Sequence, residues 1–203
     1  MKTVKLLKVL LAVLIIATII VAILVINKFV NDDKSEKELQ GVIEAIYNQE
    51  QNSTDIIPIM DAEIQGIKVV GIIKIPRVDL EYPILERTDV NTLNISVTKF
   101  WGNKINEIGN VCLAGHNNMS GSKFGKLKNL EIGDKIELID LQNVNIEYEI
   151  FDISIIDPND ISCILPVQEG TREVTLITCT NGDKNRRIVK ARENINIVKG
   201  DEN

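Results

Sequence analysis

EVTLITCTNGDKNRRIVKA, residues 173–191, reads as an apolar β-branched run, a polar break and a second β-branched run. The first run delivers Cys179 at its end, and the second opens on Arg186 and Arg187. The same texture extends outward over the chain from about residue 66. Short runs lie at 67–75 (IKVVGIIKI), 110–115 (NVCLAG), 135–141 (KIELIDL), 145–156 (NIEYEIFDISII), 173–179 and 187–198 (RIVKARENINIV). Alternating apolar and polar residues in short, closely spaced runs predict a mainly β domain, an antiparallel barrel or sandwich. There is no internal repeat and no glycine-rich phosphate loop.

The N-terminal part is different in kind. Residues 9–26, VLLAVLIIATIIVAILVI, are apolar apart from Thr18 and uncharged, long enough to cross bilayer hydrocarbon as a helix. Lys2, Lys5 and Lys8 precede the run, and Asp32, Asp33, Glu36 and Glu38 follow it. Positive-inside bias then leaves residues 1–8 cytoplasmic, 9–27 as a single-pass anchor in the cell membrane, and the rest extracellular. A cleaved signal peptide is the competing reading; the run is longer than a usual signal core, and no clear cleavage site follows it. Ser35 to Glu38 has capping-box spacing, with Leu39, Val42, Ile43 and Ile46 at helical intervals behind it. This predicts an amphipathic helix ending near residue 50, either a lid on the domain or a solvated stalk. It belongs to a spacer and linker at 28–65, ahead of the globular domain at 66–203.

Composition removes several functions. The 203 residues suit one domain plus an appendage, and a formal charge of −6 argues against nucleic acid as a partner. Cys112, Cys163 and Cys179 cannot all pair within one chain and show no C-x-x-C spacing, so at least one thiol is free. His116 is the only histidine, which excludes a zinc site built on several imidazoles. Any Cys–His chemistry must use it. A strand end suits a nucleophile, because the thiol can face a cleft while its strand stays rigid. Cys179 has that placement, and His116 has it too, after NVCLAG and ahead of a polar loop. Taken singly, a free cysteine is more often a core residue and a lone histidine more often structural. Jointly they suit thiol acyl transfer, which needs a proton acceptor and donor near the sulfur. An arginine opening the next strand would supply hydrogen bonds to an oxyanion.

TLITC, a loop and an R-x-hydrophobic-V-x-A strand resemble the sortase signature, and NVCLAGH resembles the histidine strand of that family. GIIKIPRVDLEYPIL, with Ile75-Pro76 and Pro83-Ile84, and FGKLKNLEIGDKIEL, with Gly133-Asp134, are similar to further stretches of it in the same order. The resemblance covers roughly residues 70–195. It implies a closed eight-stranded sortase-type β-barrel with short helices, behind the transmembrane helix and the amphipathic helix. It also implies a cysteine transpeptidase that cleaves an LPXTG-like sorting signal through a thioester, with a Cys–His–Arg site.

Residue by residue, the resemblance puts the nucleophile on Cys179, the proton-transfer group on His116 and the arginine on Arg186, with Thr178 and Ile188 as substrate-binding positions. Strand alternation puts Arg186 and Ile188 on one face and Arg187, Val189 and Ala191 on the other; a bulge would exchange the arginines, so Arg187 stays open. The implied partners are a surface-protein substrate, an amine acceptor such as a cell-wall precursor or a pilin lysine, and the membrane. The subclass stays open among A, B and D. No cofactor or metal is implied, and no EF-hand-like loop is present. A membrane-tethered β-barrel binding module with structural Cys and His is the alternative. A papain-like hydrolase would instead place its cysteine before its histidine, opening a helix.

Overall fold

The computed structural model describes residues 2–52, 62–166 and 168–194, so part of the expected linker (53–61) and the end of the last expected strand (195–198) lie outside the described residues. The chain divides into two compact units, Met1–Gln40 and Gly41–Asn203. The first lies within helix α1 (Lys2–Asn52) and carries Leu10–Asn27, a window long and apolar enough to cross a membrane. The apolar side chains there are exposed, as a helix immersed in lipid requires. The separate amphipathic helix expected from Ser35 is the later part of this one helix. Residues 27–38, NKFVNDDKSEKE, contain neither Gly nor Pro, so nothing interrupts the hydrogen-bond ladder. Past Gln40, Ile43 and Ile46 are buried, and the Tyr47 hydroxyl donates to Glu81 at 2.7 Å.

The second unit is built from β1 (Glu63–Ile64), β2 (Ile67–Ile75), β3 (Leu80–Leu85), β4 (Val97–Trp101), β5 (Gly109–Ala114), β6 (Lys135–Asp140), β7 (Asn145–Ile156), β8 (Arg172–Thr180) and β9 (Asn185–Glu193). β1 pairs with β2 alone. The other eight form a ring in the order β2-β3-β4-β5-β8-β9-β7-β6, closed by β6 pairing back to β2. Closure leaves no open edge among the eight. This is the expected mainly β, eight-stranded barrel.

The strands are not all antiparallel, however. β3 runs parallel to β4, and β5 parallel to β8. Parallel neighbours need crossover connections. The first is made by the short helix α2 (Val90–Ile95), whose Asp89 and Thr92 form a capping box. The second is the whole β6–β7 hairpin inserted between β5 and β8. At the closing seam, Gly71 pairs with Ile84 on one side and Asp140 on the other, and a Cβ there would stand 2.6 Å from the Ile139 carbonyl oxygen. Only glycine permits that approach.

Alternation sends Ile73, Ile84, Leu113, Leu138, Ile150, Val174, Leu176 and Val189 into the barrel, capped by Phe124 and Leu127. Each fully buried aliphatic side chain contributes about 1.5–3 kcal/mol. Two polar side chains also belong to this interior. Buried Asn106 donates to the carbonyls of Leu138 (3.1 Å) and Val144 (2.7 Å) and accepts from the buried Tyr148 hydroxyl (3.1 Å). The Asn106 carbonyl in turn accepts from Arg172 Nε at 2.7 Å. Asn106 thereby fastens the β4–β5 connection onto β6, β7 and β8. Its φ of 64° is left-handed, a conformation asparagine tolerates better than alanine.

Asn106→Ala removes the two side-chain bonds to the Leu138 and Val144 carbonyls, takes the acceptor from the buried tyrosine hydroxyl and places alanine at positive φ. It should destabilise the protein by about 3 kcal/mol, whereas Tyr148→Phe, which removes one bond, should lose about 1 kcal/mol. Chemical denaturation of the full chain in detergent measures both; equal losses would remove Asn106 from the centre of this network.

Candidate active site

The three central strands present an outer face organised in levels. In the register of β5 with β8 and β8 with β9, Asn110, Glu173 and Arg192 stand abreast, then Cys112, Thr175 and Lys190, then Ala114, Ile177 and Ile188. One step further up, Cys179 stands opposite Arg186. No register shift interrupts β8 and β9, so the bulge that would have exchanged the arginines is absent between these strands. Arg187 pairs instead with Thr178, on the side of Leu176 and Val189, which belong to the barrel core.

β5 ends at Ala114, but its chain stays clamped to β8 for three more residues. Gly115 N–H donates to the Ile177 carbonyl (3.2 Å), Thr178 Oγ1 to the Gly115 carbonyl (2.7 Å), and Asn117 Nδ2 to the Cys179 carbonyl (2.9 Å). The paired residues end at Ala114 and Ile177, and extending that register two residues further would set His116 opposite Cys179. A Cβ on Gly115 would meet the buried Phe124 ring at 2.8 Å, so only glycine can carry the chain past that ring into His116. The His116 carbonyl then accepts from Phe124 N–H at 3.0 Å, closing the loop behind it.

A cavity of about 250 Å³ opens over this face. Its floor contains Ala114, Ile177, Ile188, Thr178, Cys179 and Arg186; Leu93 and Phe100 line it on the side of α2 and β4. Ile156, Pro158, Ile161, Cys163 and Ile164, from the end of β7 and the β7–β8 connection, line it as well. Four of the five residues anticipated from sequence thus line one cavity. His116 is not among the lining residues; its predecessor Gly115 is. Thr178 is buried, with its hydroxyl committed to the Gly115 carbonyl, so in this structure it braces the two strands.

Cys179 is half-buried. Burial pushes its thiol up from the ordinary cysteine range; the Arg186 guanidinium counteracts this, and the nearby Asp183 carboxylate reinforces it. Arg186 Nη1 donates to the carbonyls of Asp183 and Asn185, both at 3.1 Å, which holds the guanidinium on the β8–β9 turn. Cys112 and Cys163 are buried, and burial pushes both thiols up, Cys112 to about 12. Two neighbours escaped sequence reasoning: Asn117, the brace beyond the histidine, and Asp183, the acid facing the thiol. Single polar residues in polar loops carry no periodic signal. Among the described residues, no three His, Cys, Asp or Glu converge as a metal-binding group.

Comparison with known proteins gives this arrangement a family context. The sortase-domain family model matches residues 73–194. Sortase A of Bacillus anthracis is 33% identical over 139 residues, 68% of this chain and 65% of that protein. Sortase D of Bacillus subtilis is 34% identical over 110 residues, 54% of this chain and 53% of that protein. The chain therefore spans less than two thirds of the length of these curated relatives. Among solved structures, a Clostridium perfringens sortase D5 transpeptidase superposes with a TM-score of 0.60 at 24% identity, covering 79% of this chain and 98% of that one. A lid mutant of Corynebacterium diphtheriae sortase A gives 0.58 at 23%, covering 78% and 96%.

A raised thiol is mostly protonated at neutral pH, and the thiolate is the reactive form. Iodoacetamide alkylation of Cys179, followed by mass spectrometry, should therefore be slower at pH 7 than that of an unstructured cysteine and should still be rising above pH 9. At pH 8 Asp183→Asn should accelerate it and Arg186→Ala retard it, while buried Cys112 and Cys163 stay unmodified. Unchanged rates in both variants would contradict the electrostatic assignment.

Proposed function

Because this chain belongs to the sortase family, we propose that it is a membrane-anchored cysteine transpeptidase whose nucleophile is Cys179. The observation that carries the reading is the register pairing of Cys179 with Arg186 beside an apolar cavity; on this reading His116, two residues beyond β5 on an extension bonded to β8, stands beside them. In the proposed reaction an extended sorting peptide lies over Ala114, Ile177 and Ile188. Cys179 Sγ, as thiolate, attacks the scissile carbonyl, and the carbonyl oxygen becomes an oxyanion. Arg186 uses Nη1 for the turn carbonyls, which leaves Nε and Nη2 to donate to that oxygen. Protonated His116 supplies a proton to the departing amine as the C–N bond breaks, leaving a Cys179 thioester. An incoming amine, deprotonated by neutral His116, then attacks the thioester and releases the thiolate.

The proposed substrate is a surface protein bearing an LPXTG-like signal, and the acceptor is an amine of a cell-wall precursor or a pilin lysine. The apolar helix tethers the enzyme, and the lysines before it orient the barrel to the extracellular side. Tethering concentrates the enzyme where a membrane-bound substrate emerges.

Incubating the full chain in detergent with a panel of LPXTG-like peptides and an amine acceptor should give an acyl adduct on Cys179 and an amide product, both seen by mass spectrometry. Cys179→Ala should abolish both with the barrel intact. Arg186→Ala should lower kcat by about 10²–10³-fold, the usual effect of removing an oxyanion donor, and Arg187→Ala by far less. Absence of any adduct from a folded enzyme would refute the transpeptidase reading. Undiminished activity in both arginine variants would refute the oxyanion assignment.

A further inference from the structure

The two lower levels of the β5–β8–β9 face are polar and yet buried. Asn110, Thr175, Glu173 and Lys190 all point away from the barrel core but are at most 9% exposed. What covers them is the connection between β7 and β8, which contains a short 3-10 turn, Ser162–Ile164. The covering chain turns its carbonyls toward the strands. Asn110 Nδ2 lies 3.2, 3.1 and 3.4 Å from the carbonyl oxygens of Cys163, Ile164 and Leu165. Lys190 Nζ donates to the Leu165 carbonyl at 3.3 Å. Thr175 Oγ1 reaches both the Asn110 Oδ1 atom (3.0 Å) and the Cys163 carbonyl (3.4 Å). Oriented by Thr175, one side-chain amide thus gathers three successive backbone carbonyls.

The same segment is a wall of the substrate cavity. Ile161, Cys163 and Ile164 line it together with Ile177 and Ile188. Of the apolar side chains in the wall, Ile161 and Leu165 are exposed, Ile164 is half-buried and Cys163 is buried. Packing anchors the wall at Cys163 and Ile164, and the polar contacts beneath it fix the path of its backbone over residues 163–165. Buried polar networks fix one geometry strongly when every member is satisfied, and no buried side-chain polar atom among the described residues lacks a partner.

We propose that Asn110 is a positioning residue for the substrate: by holding the carbonyls of residues 163–165 it fixes the cavity wall that receives the apolar part of the peptide, and so sets peptide affinity. The proposal rests on the sortase reading of the site. It separates two roles on one face, with recognition governed by the lower levels and bond making by the top one. Cys179 and Arg186 belong to β8 and β9 and do not depend on the wall. Loss of Asn110 should weaken binding and leave the chemistry nearly intact.

The test compares wild type, Asn110→Ala and Lys190→Met, each as the full chain in detergent, using an LPXTG-type peptide with hydroxylamine as acceptor. Asn110→Ala should raise KM about tenfold, equivalent to roughly 1.4 kcal/mol, with kcat within about twofold. Lys190→Met, which removes a single wall bond and keeps the length of the side chain, should shift KM in the same direction by less. Hydrogen exchange of backbone amides 161–165 should accelerate in both variants, while exchange in β8 and β9 and iodoacetamide alkylation of Cys179 stay at wild-type rates. An unchanged KM, a fall in kcat at constant KM, or unchanged exchange over 161–165 would overturn the proposal. If Asn110→Ala does not fold, the same criteria apply to Lys190→Met. If wild type turns over no peptide, the transpeptidase reading fails by itself, and the exchange measurement still decides whether Asn110 positions the wall.

Discussion

The parallel pairing of β5 with β8, continued antiparallel into β9, is the constraint on which the site depends. Because side chains alternate, one register fixes which residues of three strands share a face. A slip of one residue in β8 would turn Cys179 toward the barrel core and present Thr178 in its place. Several features resist that slip. Val174, Leu176, Val189 and Ala191 fill the interior, where polar Glu173, Thr175 and Lys190 would otherwise be forced. Glu173 is almost fully buried and pairs with Arg192 at 3.0 Å, and the bonds from Thr178 and Asn117 hold residues 115–117 against the end of β8.

That arrangement also bears on the ionisation of the proposed nucleophile. The half-burial that gives Cys179 a rigid place beside an apolar floor disfavours its anion, and Asp183 adds to the effect. Arg186 is the only counterweight among the groups acting on the thiol. On the proposed function, a substrate that fills the cavity would bring its carbonyl to the thiol while Arg186 is already seated on the β8–β9 turn. Charge would then develop where a donor is preorganised.

Much of this was legible in the sequence, for identifiable reasons. The strands with strong β-branched alternation, β2, β6, β7, β8 and β9, stand out because each buries one face of a curved sheet. β4 is short and carries a lysine and two exposed aromatics, so VTKFW gives no alternation to read. The parallel pairs were invisible because direction is decided by crossovers, not by local pattern. For the candidate site, the sequence singled out Cys179 and His116 by their expected places at strand ends, and alternation favoured Arg186, which the register pairs with Cys179; His116 itself stands two residues beyond the end of β5. Asn110, Asn117 and Asp183 could not be foreseen. Their importance comes from neighbours 53 to 65 residues away in the case of Asn110, and from the turn geometry around Arg186 in the case of Asp183. The helix boundary near Ser35 was misplaced because a capping-box pattern can occur inside a helix when no residue before it breaks the ladder.

The central claim is that one register brings His116, Cys179 and Arg186 to a single level. Since His116 is the only histidine, its imidazole can be observed without ambiguity by NMR on chain labelled selectively at histidine. The decisive measurement is the His116 Cε1–H resonance, recorded across pH before and after Cys179 is capped as a methyl disulfide. The account predicts that capping displaces the resonance and removes an inflection that tracks thiol ionisation, and that neither change occurs in Cys179→Ala treated with the same reagent. Superimposable curves for capped and uncapped wild type would show that the imidazole and the sulfur do not share a site.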